Sequence, residues 1–314
     1  MIDDTNEFIL YDIKDEFKKQ LNISDDDSNL VKWEKYKDYK VNRYSVYGID
    51  CDVSLYAVGI YNKAWEYLKS ARPTKQYEKV SLDKLEDFSI SIDSNSERII
   101  PSTNIMSRKD TSICFSREYK YQLILRDSRE YYRGDTMTSF TNIYKHYKKN
   151  FETNSFIRDE VEELAKNYHT IGNMIPVPSG FNSSRAGKDA KYDYWDLTML
   201  KIKEWYNDTS NDKPLKMLLN DNKNAIEPCK KWLNKFDNWN DFVEKNYLSP
   251  FVGTKEADGN YTLLYFWKDH SFENCELLRD ANKFLEFLKK LNECIKDRNK
   301  IIYDSLLSER QLNE

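Results

Sequence analysis

The stretch from Thr170 to Asn182, TIGNMIPVPSGFN, is apolar but unsuited to a helix, because two prolines and two glycines interrupt it. The next segment, residues 191–207, carries apolar side chains at intervals of three and four, which predicts a long helix with one apolar stripe. The stripe consists of Trp195, Met199, Ile202 and Tyr206. A short extended segment followed by a long helix predicts a helix-dominated α+β fold with a small β-sheet.

Periodicity extends this prediction to the rest of the chain. Apolar or alternating segments near residues 113–125, 171–177 and 261–267 are the predicted strands of one small sheet. Helical spacing predicts further helices over residues 134–150, 155–168, 213–220, 226–236 and 276–307. Gly and Pro are scarce, with 8 and 7 residues, which favours helices over turn-rich sandwiches and barrels.

The composition and the regularity of the sequence pattern change near residue 95. Residues 93–103 contain Pro101 and are rich in Ser and Asn in their first half, as expected of a loop between domains. The sequence before this loop is irregular and rich in Tyr, whereas the segments after it are longer and more regular. We therefore predict an irregular, mixed N-terminal region at residues 1–95 and a main helix-rich α+β domain at residues 96–314.

The charge balance limits the classes of partner. The formal net charge is −4, although the chain contains 49 Lys and Arg residues. Proteins that bind nucleic acid non-specifically usually have a basic excess, so the sequence has no strong nucleic-acid signal. The first residues are acidic, and no apolar run approaches the roughly 20 residues of a membrane span. We expect a cytoplasmic protein that does not contact a membrane.

The cysteines and histidines argue against common metal sites. The five cysteines are far apart and include no Cys-x-x-Cys pair, which argues against a disulfide framework and against a structural zinc site. We expect reduced and mostly buried thiols. The chain has 3 histidines, too few for a His-rich metal centre. They are His146, His169 and His270.

The window 169–196 contains side chains that are typical of phosphate chemistry. A His with two Asn is the set that His-Asn-type nucleases use, with the His as base and a metal ion on the phosphate. Two Asp residues three positions apart lie on one helix face and can bind Mg²⁺. The catalytic or phosphate-binding candidates are His169, Asn173, Asn182 and Arg185, and the metal-binding candidates are Asp193 and Asp196.

A structural role explains the same residues without any ligand. His169 can pack in the core, Asn173 and Asn182 can cap turns, and an Asp near a helix N-terminus is stabilised by the helix dipole. The acidic residue that precedes a His in the first half of the nuclease motif is also missing upstream. Under this interpretation we expect no cofactor, and Mg²⁺ is implied only if the protein is an enzyme.

Arg298, Asn299 and Tyr303 form a second candidate group. Arg-Asn followed closely by His, late in a helical protein, resembles the signature of HEPN-type ribonucleases, in which the Arg stabilises phosphate and the His transfers protons. Here Tyr303 takes the place of the His, and a Tyr with a reference pKa of about 10 is a poor base at neutral pH. The group therefore predicts either a degenerate HEPN-like ribonuclease or toxin, or a surface Arg on a terminal helix.

Several segments also share their order and spacing with a known family. They are HTIGNMIPVP at 169–178, Asn182 with Arg185, DYWDLTML at 193–200, Trp205 with Tyr206, WLNKF at 232–236, WNDF at 239–242, and Arg298 with Asn299. In these segments the chain from about residue 95 to 305 resembles a bacterial family that is one of the numbered domains of unknown function. The family typically carries Tyr at the position of His169 and often Gly at that of Asn173. The resemblance therefore implies relatives without implying an activity or a role for these two residues.

Two classes of function follow from the whole sequence. A composition low in Gly and rich in Tyr, Trp, Lys, Asn and Asp is typical of AT-rich bacterial or phage genomes, where orphan proteins often act in phage defence or anti-defence. We expect a protein-interaction factor in bacteria–phage conflict, without a demonstrable catalytic centre, that binds a protein partner or forms homo-oligomers. Abundant aromatic residues suit such interfaces and equally suit an aromatic core. The alternative is a metal-dependent nuclease or nucleotide-acting enzyme that uses the window 169–196.

Overall fold

The chain divides into two compact units, Met1–Gly134 and Asp135–Glu314. The domain boundary predicted near residue 95 falls outside the described residues and stays a prediction. The computed structural model describes residues 24, 26–42, 64–65, 78–79, 90–93, 98–101, 111–116, 120–125, 132–168, 170–178, 180–185, 194–273 and 278–311.

The first unit combines one described helix with short antiparallel strands. Its elements are α1 (Asn29–Asn42), β1 (Glu78–Lys79), β2 (Ile90–Asp93), β3 (Arg98–Pro101), β4 (Thr111–Ser116) and β5 (Lys120–Leu125). Strands β2 and β3 pair with each other, and β1, β5 and β4 form a three-stranded sheet in that order. Cys114 of β4 lies opposite Gln122 of β5, so the strand character predicted near residues 113–125 is confirmed for the described residues, which pair antiparallel.

Helices form most of the second unit, and each helix predicted there corresponds to an observed one. After strand β6 (Tyr132–Thr136), the α-helices are α2 (Phe140–Asn150), α3 (Ser155–Asn167), α4 (Phe181–Arg185), α5 (Trp195–Asn207), α6 (Lys213–Leu218), α7 (Lys223–Leu233), α8 (Trp239–Lys245) and α9 (Ala281–Gln311). Two 3₁₀ helices cover Ile171–Asn173 and Ser249–Phe251. The remaining strands are β7 (Met174–Pro178), β8 (Val252–Lys255) and β9 (Tyr261–Leu263).

Helix α2 begins later than the sequence predicts. The predicted helix starts at residue 134, but residues 134–136 belong to β6 and the helix starts at Phe140. The reason is Asn173, whose backbone oxygen accepts a bond from the Met137 N–H at 2.7 Å and whose side chain accepts one from the Thr138 N–H at 3.1 Å. These bonds hold the chain extended until Phe140.

The prediction of one small sheet is wrong, because its three segments lie in three different sheets. Strand β4 pairs with β5 in the first unit, β7 pairs with β6, and β9 pairs with β8. Pro176 and Pro178 explain part of this difference, because they remove two backbone N–H donors from β7 and so prevent it from being a central strand. The fold class itself, helix-dominated α+β, is confirmed.

The core of the second unit is aromatic and surrounds the N-terminal half of α5. Trp195, Met199 and Ile202 of the predicted stripe are completely buried, while Tyr206 is half-buried and its hydroxyl donates to the Leu233 carbonyl at 2.8 Å. The buried face extends beyond the stripe, since Asp196 and Thr198 are also buried. The polar residues at the start of α5 therefore lie inside the core.

The longest described helix, α9, packs against α3 and against the 3₁₀ helix Ile171–Asn173. Although α9 has 31 residues, charged side chains recur along it. Within the described part of the chain, no helix combines the length and the apolar character that crossing a membrane requires.

Candidate functional site: a buried Asp–His pair and its surroundings

The structure separates the described candidates of the window 169–196 into different hydrogen-bond networks. His169 and Asp193 lie outside the described residues, so their predicted roles as base and metal ligand stay predictions. Asn173, Arg185 and Asp196 are each at least 98% buried. The four described candidates take part in three separate hydrogen-bond networks, and their roles in catalysis or metal binding stay predictions.

Asn173 joins the start of α2 to the end of α3. Besides the bonds from the Met137 and Thr138 N–H groups, its amide nitrogen donates to the Tyr168 carbonyl at 2.9 Å and to the Thr138 carbonyl at 3.4 Å. A buried amide saturated in this way stabilises a turn and has little capacity left for a substrate. This geometry favours the structural interpretation of Asn173.

Asn182 and Arg185 form a second network with α5. One terminal nitrogen of the Arg185 guanidinium donates to the Asn182 side-chain oxygen, and the other donates to the Thr198 hydroxyl at 2.8 Å. The guanidinium also lies 5.1 Å from the Phe181 ring centroid and 5.2 Å from that of Trp195, within the range of cation–π attraction. Arg185 thus stabilises the contact between α4 and α5 from inside the core.

Asp196 belongs to a third network, which sequence reasoning did not foresee. Its Oδ2 atom accepts a hydrogen bond from the Phe266 N–H at 3.0 Å and another from Nδ1 of His270, 74 residues away in sequence. The exposed fraction is 1% for the Asp196 side chain and 0% for that of His270. Asp196 was predicted to bind a metal, but here one of its oxygens holds the segment after β9 against the start of α5.

Aromatic rings contact the His270 side of the Asp196–His270 pair. The His270 imidazole stacks on the Trp267 indole with ring centroids 3.6 Å apart, and the Tyr194 ring meets it edge-on at 4.6 Å. Phe287 of α9 contacts both Tyr194 and Trp267. The pair therefore lies in a surrounding of low polarity, where electrostatic interactions are stronger than in water.

The charge of Asp196 acts on neighbouring groups. Burial, followed by the nearby Asp196 carboxylate, raises the pKa of the Tyr265 hydroxyl. Burial raises the pKa of the Cys294 thiol to about 12, with Asp196 among the smaller contributions. Cys229 is also buried, and burial raises the pKa of its thiol. Both cysteines are free, as predicted, and an elevated pKa makes these thiols unreactive.

The surroundings of Asp196 do not suit a hydrated cation. Mg²⁺ prefers octahedral oxygen coordination and usually keeps several water molecules. The Asp196 carboxylate already accepts two N–H donors on Oδ2, and its side chain is 1% exposed. Among the described residues, no group of three or more His, Cys, Asp or Glu side chains is arranged to hold a metal ion.

Arg298 and Asn299 lie inside the protein and clamp two segments together. The interpretation of Arg298 as a surface residue is wrong, because its exposed fraction is 0%. Its Nε donates to the Tyr247 carbonyl at 3.0 Å and its Nη2 to the Asn246 carbonyl at 3.1 Å. Its Nη1 donates to the carbonyls of Gly172 at 2.8 Å and Met174 at 2.7 Å, with a longer contact of 3.4 Å to Ile171.

The carbonyls that Arg298 binds lie at the C-terminal ends of two short helices. At the end of α8, the Tyr247 N–H bonds the Glu244 carbonyl and the Leu248 N–H bonds the Val243 carbonyl, with Tyr247 in the left-handed region at φ 57°. This is a Schellman motif, in which the last carbonyls of the helix lack partners within the helix. A cation is favoured at such an end, so Arg298 stabilises both helix termini at once.

Asn299 and Gly172 complete this clamp. The Asn299 side chain accepts a bond from the Gly172 N–H and donates to the Thr170 hydroxyl at 2.9 Å. A Cβ atom at Gly172 would lie 2.2 Å from the Ile295 carbonyl oxygen, so only glycine allows α9 to approach this closely. Tyr303 is half-buried one turn further along α9.

This geometry bears on the HEPN-like interpretation. An Arg that stabilises phosphate must present its N–H donors to the substrate. In Arg298 all three guanidinium nitrogens donate to backbone carbonyls, so the geometry favours a structural role. The local sequence signal for this contact is Gly172, because a glycine lets another backbone approach closely.

Comparison with known protein families places this chain in one family. Residues 86–302, more than half of the chain, match a family of unknown function, DUF6994. No curated protein and no solved structure matched the chain. The match includes the 3₁₀ segment, the Asp196–His270 pair and the Arg298–Asn299 clamp. The chain therefore belongs to the DUF6994 family, a family of unknown function.

Proposed function

We propose that this protein is an interaction factor in bacteria–phage conflict, as a defence or anti-defence component. The observation that supports the proposal is the distribution of Asn173, Arg185 and Asp196 over separate internal networks. An active site needs its side chains to converge on one place where a reacting atom can sit. In this protein the same residues hold turns and helices in position, as expected of a scaffold for binding.

An exposed aromatic side chain offers a place to test this proposal. Phe156, in the first turn of α3, is 71% exposed, the largest value among the large hydrophobic residues that the structure describes. Aromatic residues are common anchors of protein interfaces. Met217, on α6, is 40% exposed and provides a matched control on a different helix.

The experiment is affinity purification of the tagged protein from its host and from phage-infected cells, followed by mass spectrometry. We expect one protein partner in stoichiometric amount with the wild type, at least tenfold less with Phe156→Ser, and an unchanged amount with Met217→Ser. Recovery of no partner under either condition would overturn the interaction proposal. Equal recovery with both variants would instead place the interface away from α3.

The enzyme alternative is tested on the same preparations. The wild type is incubated with Mg²⁺ and with single-stranded DNA, double-stranded DNA, RNA or nucleoside triphosphates. Turnover that Asp196→Asn abolishes while the melting temperature stays the same would favour the enzyme.

We propose a cytoplasmic location and expect the protein in the cytosolic fraction of lysed cells. Size-exclusion chromatography with light scattering shows whether the protein forms homo-oligomers.

A further inference from the structure

Four exposed cations lie where the end of α2 meets the start of α9. Nε2 of His146, on α2, donates a hydrogen bond to the Leu278 carbonyl at 2.9 Å, and the His146 ring lies 5.1 Å from the Phe284 ring of α9, centroid to centroid. These contacts join the two helix ends, and each cation is adjacent in sequence to a contact residue or lies one turn from it. We call the four cations the basic patch, and they are Lys145, Lys149, Arg279 and Lys283.

Helix geometry and electrostatics bring the charges of the two helices together. Lys145 and Lys149 are four positions apart on α2 and therefore lie on the same helix face. Arg279 directly follows the carbonyl that His146 binds, and Lys283 is in the first turn of α9. Burial is the main cause of the lowered pKa of His146, and the positive charges of Arg279 and Lys149 lower it further. Cations from both helices therefore act on one imidazole.

The cations of the basic patch form no ion pair among the described residues, unlike several other lysines. Lys148, for example, pairs with Glu152 at 2.7 Å. The acidic residue nearest in sequence to the α9 half of the patch is Asp280, whose side chain accepts a hydrogen bond from the Lys283 backbone N–H at 2.9 Å and so caps the helix. Like charges close together repel each other, so an anionic partner would be attracted to this surface.

The helix dipole explains the α2 half of the patch but not the α9 half. Cations are favoured near a helix C-terminus, so Lys149 in the last turn of α2 stabilises its own helix. The N-terminus of a helix carries a positive partial charge and favours acidic residues. Arg279 and Lys283 therefore lie at the unfavourable end of α9, and helix stability does not account for them.

We propose that the basic patch is a docking surface for an acidic region of a protein partner, an inference that rests on the interaction function proposed above. The patch is compact, whereas proteins that bind nucleic acid usually combine a longer basic stripe with exposed aromatic rings that stack on bases. The rings next to His146, those of Phe151 and Phe284, are at most 9% exposed. The chain also has a net charge of −4, which would repel a long polyanion. Complementary charges on a partner protein would speed its encounter and fix its orientation.

The first test uses the purified full chain and defined probes. The probes are a fluorescent poly-glutamate peptide and a fluorescent single-stranded oligonucleotide of the same net charge, and fluorescence anisotropy measures their binding at low salt. We expect the peptide to bind more tightly than the oligonucleotide, with an affinity that falls as added salt screens the charges. Absence of peptide binding up to about 1 mM would overturn the proposal. Tighter binding of the oligonucleotide would overturn it in favour of a nucleic-acid partner.

Two variants locate the binding, and each removes three positive charges from exposed positions. The patch variant carries Lys145→Gln, Lys149→Gln and Arg279→Gln. The control variant changes lysines of α6 and α7 and carries Lys216→Gln, Lys223→Gln and Lys231→Gln. We expect the patch variant to bind the peptide at least about tenfold more weakly than the control variant, with similar melting temperatures. Equal weakening in the two variants would show a general effect of net charge and overturn the proposal.

The same variants separate this inference from the proposed function. In the affinity purification from cells, we expect the patch variant to recover at least about tenfold less partner than the control variant. A partner that both variants recover equally would support the interaction function and overturn the basic patch as its docking surface. Peptide binding that depends on the patch, without any partner recovered from cells, would refute the interaction function and leave the patch as a site for acidic peptides.

Discussion

The Arg298 clamp and the Asp196–His270 pair are equally buried but differ in how their polar atoms are satisfied. In the clamp, all three guanidinium nitrogens donate to carbonyls. In the pair, one bond joins the two side chains, and the outer atoms Oδ1 and Nε2 have no partner among the described residues. The clamp therefore uses all of its hydrogen-bond donors, whereas the pair leaves two of its polar atoms unused among the described residues.

The difference shows why a charged residue in the core is not by itself evidence of a site. Arg298 is completely buried, as a functional Arg in a closed site would be, yet the backbone carbonyls that it binds explain its burial. The Asp196–His270 pair involves fewer hydrogen bonds and was not predicted from the sequence, but two of its polar atoms form no hydrogen bond among the described residues. Substitutions in the clamp and in the pair should therefore lower the free energy of unfolding by different amounts. Losses from the two substitutions in the pair should not simply add.

The largest effect is expected from Arg298→Met. The variant removes the N–H groups that donate to carbonyls at two helix ends, and those carbonyls stay buried without a partner. We therefore expect a loss of about 3–5 kcal/mol in the free energy of unfolding. Urea denaturation followed by circular dichroism measures it. Lys300→Met, at an exposed position on the same helix, is the control and should change stability by less than about 0.5 kcal/mol. Similar stabilities for the two variants would refute the clamp.

The next effect concerns the contact between Gly172 and α9. In Gly172→Ala the new methyl group would meet the Ile295 carbonyl, and we expect a loss of about 2–3 kcal/mol, as for other overpacked positions. Gly259→Ala separates this clash from backbone strain, because Gly259 has φ +82° but no atom within 4 Å of the place that a methyl group would take. We expect about 1 kcal/mol there. A smaller loss at Gly172 than at Gly259 would contradict the close approach.

A double-mutant cycle tests the pair. His270→Phe leaves one buried polar partner behind, and Asp196→Leu leaves both His270 and the Phe266 N–H, so each should cost at least about 1–3 kcal/mol in the free energy of unfolding. The double variant leaves only the Phe266 N–H unpaired, so its loss should be clearly smaller than the sum of the two single losses. Costs that simply add would show that the two side chains do not act together.

The smallest effect is a pH dependence at His146. Burial lowers the pKa of His146 in the folded protein, and the neighbouring Arg279 and Lys149 add to the effect. The unfolded chain then binds the proton more readily, so stability is complete above about pH 6.5 and falls as the pH drops through the lowered folded pKa. In His146→Gln this part of the pH dependence should disappear. Melting temperatures between pH 5 and 8 measure it, and identical pH profiles would count against the assignment.

Sequence reasoning recovered the elements of this fold better than their arrangement. The stripe of α5 is local information, since positions three and four apart share a helix face, and its helix was correctly predicted. The assignment of residues 171–177 and 261–267 to one sheet failed because strand pairing depends on distant contacts. Pro176 and Pro178 are the local signal for a peripheral strand, since neither can donate to a neighbouring strand.

The candidate site was less accessible to prediction. Asp196 was predicted as a metal ligand, which stays a prediction, and its hydrogen-bond partner His270 lies 74 residues away, so no spacing rule connects them. The local signal was an Asp between the apolar residues Trp195 and Leu197 at the start of an otherwise buried helix. Asn173 was correctly given a turn-capping role as one alternative, because Asn side chains imitate backbone turns.

The Arg298 clamp also has a consequence for biosynthesis. Gly172 and Arg298 are 126 residues apart, so the ribosome produces the 3₁₀ segment long before the guanidinium that binds its carbonyls. At roughly 5–20 residues per second, that delay lasts on the order of ten seconds. During this time the nascent chain exposes apolar surface that α9 later covers. The emerging polypeptide is therefore a natural client for ribosome-associated chaperones, and a premature stop codon before position 298 yields a product that cannot complete its core.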